Sequence, residues 1–259
     1  MLLVIDVGNT HTVIGVFRGS ELVQRWRMAT NKLHTADELR LKLQPLLASA
    51  ELSAQDLDGA CIASVVPKLT DAWGEAAFVL LGVMPVICNA RAAGALFETD
   101  YPNPSEIGAD RVADAVGAKA LYGSPVVTVD FGTATNMEVI DKDGKFVGGV
   151  IAPGIDTSAS ALTERATKLG AIDFADPHTA IGRNTAEAMQ VGIVYGEADR
   201  VDGIVNRIFD QLGYRAPVIA TGGLAYRVAK ISSTITDTNP DLTLEGLRLV
   251  YNEFVSNHG

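Results

Sequence analysis

The chain has 259 residues, enough for one large domain or two small ones with a sizeable core. Lys and Arg number 21 against 31 Asp and Glu, and this formal net charge of −10 argues against a general nucleic-acid binder without excluding an anionic ligand at a local site. Glycine is frequent, at 25 residues, and lies in no low-complexity segment, so we expect it at turns and close backbone approaches.

The first half of the chain predicts a β-hairpin sheet followed by alternating helices and strands. A tight turn at Val7–His11 separates the first two strands. Thr35 and Glu38 have the spacing of a capping box, and leucines follow at helical spacing, which together predict a helix. Pro45 is unfavourable in the last turn of this helix. The predicted strands are Leu2–Asp6, Thr12–Phe17, Glu21–Met28, Ala60–Val66 and Val86–Cys88, and further helices are predicted over Leu69–Leu81 and Ala109–Leu121.

The second half repeats this order. An apolar strand ends at Asp130 and runs into a Gly/Thr turn at 131–135, after which two more strands follow. A long helix is predicted over Thr185–Leu212, with Gly213 as its stop signal. The remaining predicted strands are Pro125–Asp130, Asn136–Ile140, Lys145–Ala152 and Pro217–Ala220, and the remaining helices are Leu224–Ser232 and Leu242–Val255.

An internal duplication explains the repeated pattern. Asp6 and Asp130 each end an apolar strand before a glycine turn, and they lie 124 residues apart, nearly half the chain. The sequence therefore predicts an α/β fold of two similar lobes with flanking helices, at residues 1–118 and 119–259. We expect a ligand cleft between the lobes, because domain interfaces favour such sites.

The repeated turn is suited to binding phosphate. Successive backbone N–H groups in such a turn can bind phosphate oxygens, and Gly8 permits the close approach. Asn9, Thr10 and Thr12 add neutral donors. Asp6 would repel phosphate by itself, but Mg²⁺ is held by carboxylates, waters and phosphates together. A plain β-turn is the favoured explanation of one copy alone, whereas two copies at matching positions favour a phosphate site.

Other site classes find little support. The chain contains no P-loop, no strand leading into GxGxxG and no HRD motif, and its four histidines show no ligand pairing. Cys61 and Cys88 lie in apolar runs without a CxxC, which predicts buried free thiols in a reducing compartment. The longest apolar run is too short to span a membrane, and Asp6 interrupts any signal-peptide core. We expect a soluble, cytoplasmic protein.

A second candidate site lies at Glu106–Arg111. An apolar-patterned helix follows Gly108, and a helix N-terminus favours anions. Asp110 would lie in its first turn, and Arg111 could bind a substrate carboxylate through two N–H groups. A helix-start acid with a surface ion pair is the alternative interpretation.

Five motifs together resemble one family, type III pantothenate kinase, over residues 2 to about 255. They are Asp6–Thr10, Gly108–Arg111, Asp130–Ala134, Gly149–Gly154 and Thr221–Gly223. The family belongs to the actin/hexokinase/heat-shock-ATPase superfamily, so the resemblance implies two ribonuclease-H-like lobes with mixed sheets. It also implies ATP-dependent phosphorylation of pantothenate to 4′-phosphopantothenate, the first step of coenzyme A synthesis. A homodimer with active sites beside the subunit interface is implied as well.

The resemblance implies roles for individual residues. Asp110 would be the general base, Asp130 would bind a monovalent cation (K⁺ or NH₄⁺), and Asp6 would hold the Mg²⁺ of ATP directly or through water. The implied ATP contacts are Asp6, Val7, Gly8, Asn9, Thr10, His11, Thr12, Val13 and Thr133. The implied pantothenate contacts are Tyr101, Gly108, Ala109, Asp110, Arg111 and Thr185.

Two departures from the family pattern and two alternative functions stay open. Gly196–Asp199 replaces a commoner Gly-Tyr segment and Asn136–Glu138 follows the second turn, which leaves helix packing and dimer contacts in question. The chain could be another small-molecule kinase of the superfamily, acting on a sugar or acetate, but Gly108–Arg111 argues against it. It could be a non-catalytic regulatory homologue, but the presence of Asp6, Asp110 and Asp130 argues against that.

Overall fold

A computed structural model describes residues 1–166 and 170–258, which form two compact units. The first unit contains Met1–Ala120 and the C-terminal segment from Asp241, and the second contains Leu121–Pro240. The predicted division placed this C-terminal segment in the second lobe. The structure places it in the first, because its helix packs on the first sheet and buries Leu244, Leu247 and other apolar side chains.

The first unit is built on a five-stranded mixed sheet. The strands are β1 (Leu2–Val7), β2 (His11–Arg18), β3 (Glu21–Ala29), β4 (Gly59–Ser64) and β5 (Val86–Ile87), and a two-residue strand, β6, lies at Glu98–Thr99. The order in the sheet is β3-β2-β1-β4-β5, in which β1, β2 and β3 are antiparallel and β1, β4 and β5 are parallel. The helices are α1 (Ala36–Ser49), α2 (Pro67–Leu81), α3 (Ala109–Tyr122, which continues into the second unit) and the C-terminal α8 (Leu242–His258).

The predicted capping box of α1 is confirmed. The Glu38 N–H donates to Thr35 Oγ1 at 3.3 Å, and the Thr35 N–H donates to Glu38 Oε2 at 2.8 Å. The helix continues through Pro45, although proline removes a backbone hydrogen bond. Burial of Leu43 and Leu47 on either side of Pro45 offsets that loss.

The second unit has a sheet of the same design. Its own strands are β7 (Val126–Phe131), β8 (Ala134–Ile140), β9 (Lys145–Pro153), β10 (Val218–Gly222) and β11 (Asp237–Thr238). They lie in the order β11-β10-β7-β8-β9, in which β7, β8 and β9 are antiparallel and β7, β10 and β11 are parallel. The helices are α4 (Ile155–Arg165), α5 (Thr185–Gln190), α6 (Gly196–Leu212) and α7 (Ala225–Ala229).

The topology of the two sheets confirms the predicted duplication. The central strands β1 and β7 share the same burial pattern, in which every residue is buried except a half-buried penultimate aspartate. Asp6 pairs with Val13 across the antiparallel neighbour, and Asp130 pairs with Asn136 in the same way. The two aspartates therefore occupy equivalent positions at the ends of equivalent strands.

The helices of the second unit differ in part from the prediction. The long predicted helix is interrupted by a π-helical turn at Val191–Tyr195, which separates α5 from α6. Gly213 ends α6 in the left-handed region, with φ +78°, as predicted. Helix α4 was not predicted, because its N-cap, Gly154, makes no side-chain cap hydrogen bond and therefore carries no start signal.

The segment that follows α7 is bound to α6 by one carboxylate. Asp202 accepts hydrogen bonds from Ser232 Oγ at 2.5 Å, from the Ser233 N–H at 2.7 Å and from Thr234 Oγ1 at 2.7 Å. Partial burial disfavours the charged form, but these hydrogen bonds outweigh it and lower the pKa of Asp202 to about 2.

Asp202→Asn is therefore expected to destabilise the protein at pH 7 by about 1 kcal/mol. The carboxylate has a lower pKa in the folded chain than in the unfolded chain, so its contribution is present above about pH 4 and is lost as the pH falls toward 2. Thermal melts at pH 7 and pH 3 should show a difference between variant and wild type that shrinks at pH 3. Asp210→Asn, on an exposed position of the same helix, is the matched control and should melt like the wild type at both pH values.

Candidate active site

The first glycine turn joins β1 to β2. The Gly8 N–H donates to the carbonyl oxygen of His11 at 3.0 Å. A Cβ at Gly8 would lie 2.9 Å from that oxygen, so this closed turn requires glycine. Of the predicted ATP contacts here, Asn9, Thr10 and His11 are exposed, Gly8, Asp6 and Val13 are half-buried, and Val7 and Thr12 are buried.

The end of β3 supports this turn. The Thr30 N–H donates to the Thr10 carbonyl at 2.9 Å, and the hydroxyls of Thr12 and Thr30 lie 2.9 Å apart. Lys32 Nζ donates to Asn9 Oδ1 at 2.9 Å, which places a cation beside the turn and favours phosphate there. Sequence analysis missed Lys32, because only the register of β2 with β3 brings it to the turn.

Asp110 lies in the first turn of α3, directly after Gly108 and Ala109. Its Oδ1 accepts the Arg111 N–H at 2.8 Å, and Gly108 leaves room for this carboxylate, since a Cβ there would lie 2.5 Å from Oδ1. The alternative interpretation is correct in placing an acid at the helix start, but Arg111 is only 9% exposed and is therefore not a surface residue. The carboxylate itself is half-buried.

Asp110 is close enough to Asp6 to influence the ionisation of Asp6. Burial, and then the negative charge of Asp110, raise the pKa of Asp6 to about 7. Burial also raises the pKa of Asp110, although Arg111 opposes that shift through its N–H group and its positive charge. The structure thus brings together the two aspartates that the first and second sequence motifs supplied.

The buried Cys88 thiol lies beside this pair. Its S–H donates to the Ala109 carbonyl at 3.4 Å. Burial, and then the neighbouring Cys61, Asp110 and Asp6, raise its pKa well above the ordinary value. Cys61 and Cys88 are buried and free, as predicted, and the Cys88 thiol is held in its neutral form.

Helix α8 anchors the helix that carries Asp110. Thr243 Oγ1 donates at 2.6 Å to Asp114, a buried carboxylate one helical turn beyond Asp110. A Cβ at Gly246 would overlap the Ala113 carbonyl, so the two helices pack with backbone in contact. The C-terminal segment therefore positions a residue from the middle of the chain.

The second glycine turn joins β7 to β8 and packs against the segment after β9. The Gly154 N–H donates to the Thr133 carbonyl at 3.0 Å, and Thr157 Oγ1 donates to the same oxygen at 2.6 Å. A side chain at Gly154 would overlap the Gly132 carbonyl. The turn leaves Thr133 exposed, beyond the half-buried Asp130.

Two further groups surround Asp130. Gly222 has φ +90°, and a Cβ there would collide with Asp130 Oδ1, so the glycine of the Thr221–Gly223 motif allows close packing on this carboxylate. Asn136, its partner across β8, has a buried Oδ1 with no hydrogen-bond partner among the described residues. Hard cations are bound by carboxylate and amide oxygens, so Asp130 and the Asn136 amide oxygen are suitable ligands for a cation.

Tyr101 and Thr185 lie at the surface of their respective units. Tyr101 is 37% exposed, and its backbone N–H donates to Thr99 Oγ1 at 3.0 Å. Thr185 is exposed at the start of α5, where Asn184 Oδ1 caps the helix by accepting the Glu187 N–H at 3.0 Å. Their predicted contacts with pantothenate stay predictions.

The site around Asp6 is suited to a divalent metal whose coordination is completed by phosphate oxygens of a bound nucleotide. Within residues 1–166 and 170–258, no cluster of three or more His, Cys, Asp or Glu side chains could hold a metal by itself. Mg²⁺ needs only one or two carboxylates when waters and phosphates complete its coordination, and Asp6 is the carboxylate predicted to take this part. In the same part of the chain, no helix has the length and apolarity needed to cross a bilayer.

Solved structures of similar fold confirm the two-unit α/β architecture. The ethanolamine utilization protein EutJ from Carboxydothermus hydrogenoformans is 16% identical, with a TM-score of 0.57 over 96% of this chain and 89% of that one. The Lmo2764 protein from Listeria monocytogenes is 11% identical, with a TM-score of 0.58 over 100% of this chain and 99% of that one. At these identities the likeness shows the fold alone.

Sequence comparisons are far more specific. The family model for type III pantothenate kinase matches residues 2–207. Proteins called type III pantothenate kinase from Thermomicrobium roseum and Streptomyces coelicolor are each 46% identical to this chain, over 97% and 99% of it and 96% and 99% of the relatives. One from Halalkalibacterium halodurans is 44% identical over 98% of this chain and 100% of its own length. The chain therefore belongs to the type III pantothenate kinase family.

Proposed function

We propose that the chain transfers the γ-phosphoryl group of ATP to pantothenate, giving 4′-phosphopantothenate for coenzyme A synthesis. The observation that carries this is the meeting of Asp6, at the first glycine turn, with Asp110, at the start of α3, in a chain of this family. Phosphoryl transfer needs a phosphate cradle, a divalent metal and a carboxylate for the acceptor hydroxyl, and these residues supply the protein's share of each.

The first turn is the proposed cradle for ATP phosphates. The proposed contacts run from Asp6 to Val13. Within them the exposed residues Asn9, Thr10 and His11 present neutral donors, and Lys32 adds a positive charge beside them. Asp6 would hold Mg²⁺, which when bound neutralises charge on the transferring phosphate. In the second unit, Thr133 is the proposed ATP contact.

Asp110 is the proposed general base. A carboxylate of ordinary pKa is a weak base near neutral pH, but burial raises the pKa of Asp110 and so strengthens it. The Arg111 N–H group and charge favour the ionised form, which the base must have before it accepts a proton. Asp110 would orient the primary hydroxyl of pantothenate and accept its proton as the new O–P bond forms, while Gly108–Arg111, Tyr101 and Thr185 contact the rest of the substrate.

The decisive test is an ADP-release assay with pantothenate as the only acceptor. We expect Mg²⁺-dependent ADP release and a product with the mass of 4′-phosphopantothenate. Turnover of a sugar or acetate at a comparable rate would instead identify another kinase of the superfamily. Binding of ligands without any turnover would identify a regulatory homologue.

Asp130 is the proposed ligand of a monovalent cation, K⁺ or NH₄⁺, and the unpaired Asn136 Oδ1 across the strand pair supports that assignment. We expect low activity in buffers that contain only Na⁺ or Li⁺, and recovery when K⁺ or NH₄⁺ is added. The measurement is the initial rate at constant ionic strength in the four chloride salts, and equal rates in all four would reject the cation site. Asp130→Asn should lose the difference between these salts, whereas the control Asp143→Asn, at an exposed hairpin position, should keep the salt response of the wild type.

We further propose a cytoplasmic homodimer with active sites beside the subunit interface. The two buried free thiols and the need for ATP support the location. Sedimentation equilibrium would measure the assembly, and a monomer at all concentrations used in the assay would reject it.

A further inference from the structure

An ion pair with a buried carboxylate and a half-buried guanidinium lies at the start of α6, next to the second glycine turn. Glu197 and Arg200 are three residues apart on this helix and pair through Glu197 Oε2. Glu197 is 3% exposed, although carboxylates are rarely buried without a partner. The π-helical turn at Val191–Tyr195 immediately precedes the pair, and such turns change the direction in which the following side chains project.

Each member of the pair also binds a strand next to the turn, either β8, which follows the turn directly, or β9, after which Gly154 packs against it. The hydroxyl of Thr135, a fully buried residue at the start of β8, donates to Glu197 Oε1 at 2.6 Å. The Arg200 guanidinium donates to the carbonyl oxygen of Pro153, at the end of β9, at 2.6 Å. One ion pair therefore connects α6 to both β8 and β9.

The bonded positions are adjacent to the turn itself. Thr135 lies two residues beyond Thr133, and Pro153 lies directly before Gly154. The Gly154 N–H donates to the Thr133 carbonyl at 3.0 Å, and the Gly154 backbone packs against the Gly132 carbonyl. A displacement at Glu197 or Arg200 would consequently reach the turn through one or two covalently linked residues.

From these contacts we propose that Glu197 and Arg200 are positioning residues, which hold the second glycine turn in the conformation that binds ATP phosphates. This proposal rests on the proposed function, because it assigns nucleotide to that turn. Burying the Glu197 carboxylate and part of the Arg200 guanidinium costs desolvation energy, and apolar side chains could fill the same space at similar stability. The pair is useful because its hydrogen bonds are directional and fix two strands at once.

Thr135→Val is the cleanest test, because valine keeps the shape of threonine and removes only the hydroxyl that Glu197 accepts. We expect KM for ATP to rise about 10- to 100-fold, since a small misplacement of a binding group is costly. KM for pantothenate should change little, and the melting temperature should fall by only a few degrees, because the buried Glu197 carboxylate loses one hydrogen bond but keeps Arg200. Thr135→Ser keeps the hydroxyl and should restore most of the affinity for ATP.

Glu197→Gln and Asp199→Asn complete the experiment. The amide side chain of Glu197→Gln would still accept from Thr135 but would carry no charge for Arg200, so we expect an intermediate rise in KM for ATP. Asp199 is exposed on the same helix, and its variant should match the wild type. Calorimetric titration with Mg²⁺-ATP would report the same order of affinities independently of turnover.

Wild-type turnover of pantothenate allows the positioning role to fail independently of the proposed function. If the wild type is active and Thr135→Val binds ATP as tightly as the wild type, the positioning role is wrong and the proposed function stands. If Thr135→Val and Glu197→Gln lose ATP affinity, pantothenate affinity and melting temperature together, the ion pair is a structural element only, and the positioning role is also wrong.

Discussion

Asp110→Asn is expected to fold normally and to lose about 10²- to 10⁴-fold in kcat with pantothenate, the range typical of a lost general base. Asparagine has nearly the same shape and can still bind the acceptor hydroxyl, but it cannot accept the proton. The KM for ATP should change much less, because Asp110 is assigned to the acceptor rather than to the nucleotide. Initial rates at saturating substrates, with the melting temperature as a check on folding, would measure the effect.

Asp71→Asn is the matched control for this prediction. Asp71 is an exposed carboxylate on α2 in the same unit, so its variant should keep the wild-type kcat. A kcat near that of the wild type in Asp110→Asn would mean that another group, or substrate phosphate itself, takes the proton.

Asp6→Asn is expected to lose activity and yet to stabilise the ligand-free protein above about pH 4. Burial and the nearby Asp110 raise the pKa of Asp6 to about 7 in the folded chain, above its unfolded value of 3.8. A raised carboxylate pKa means that ionisation disfavours folding, so this cost begins above pH 3.8, grows through pH 7 and then stays constant. Neutral asparagine avoids the cost.

The expected gain is about 2–4 kcal/mol in the free energy of unfolding at pH 8 and less than half as much at pH 5. Urea titrations of wild type and variant without nucleotide, at both pH values, would measure it. Mg²⁺-ATP should stabilise the wild type and should stabilise the variant far less, because the variant lacks the carboxylate for the metal. A variant that is less stable than the wild type at pH 8 would contradict the raised pKa.

The glycine turns and their strands could be predicted because their signals are local. An apolar run ending in Asp-x-Gly indicates a buried strand before a tight turn, and both copies form equivalent central strands. The capping box of α1 and the stop at Gly213 depend on residues within one helical turn of each other, and both are confirmed. Helix α4 has no such cap, so no local start signal marks it in the sequence.

Contacts between distant segments could not be predicted in this way. Lys32 reaches Asn9 because of the hairpin register, and Glu197 reaches Thr135 across 62 residues because α6 packs on the second sheet. The assignment of α8 to the first unit follows from its packing on the first sheet and from its close contact with α3 at Gly246, and neither contact has a local signature. None of these contacts is encoded by spacing along the chain.

The sequence by itself therefore determined the duplicated α/β architecture, the family and the residues available for chemistry, because each depends on short motifs and on their order. Only the tertiary structure decided the ionisation state of those residues. Asp6 is an ordinary carboxylate in the sequence, and it becomes a group with a pKa of about 7 because folding removes it from water and brings Asp110 beside it. Burial and long-range proximity are properties of the packed chain, and these two set the charge on the proposed active site.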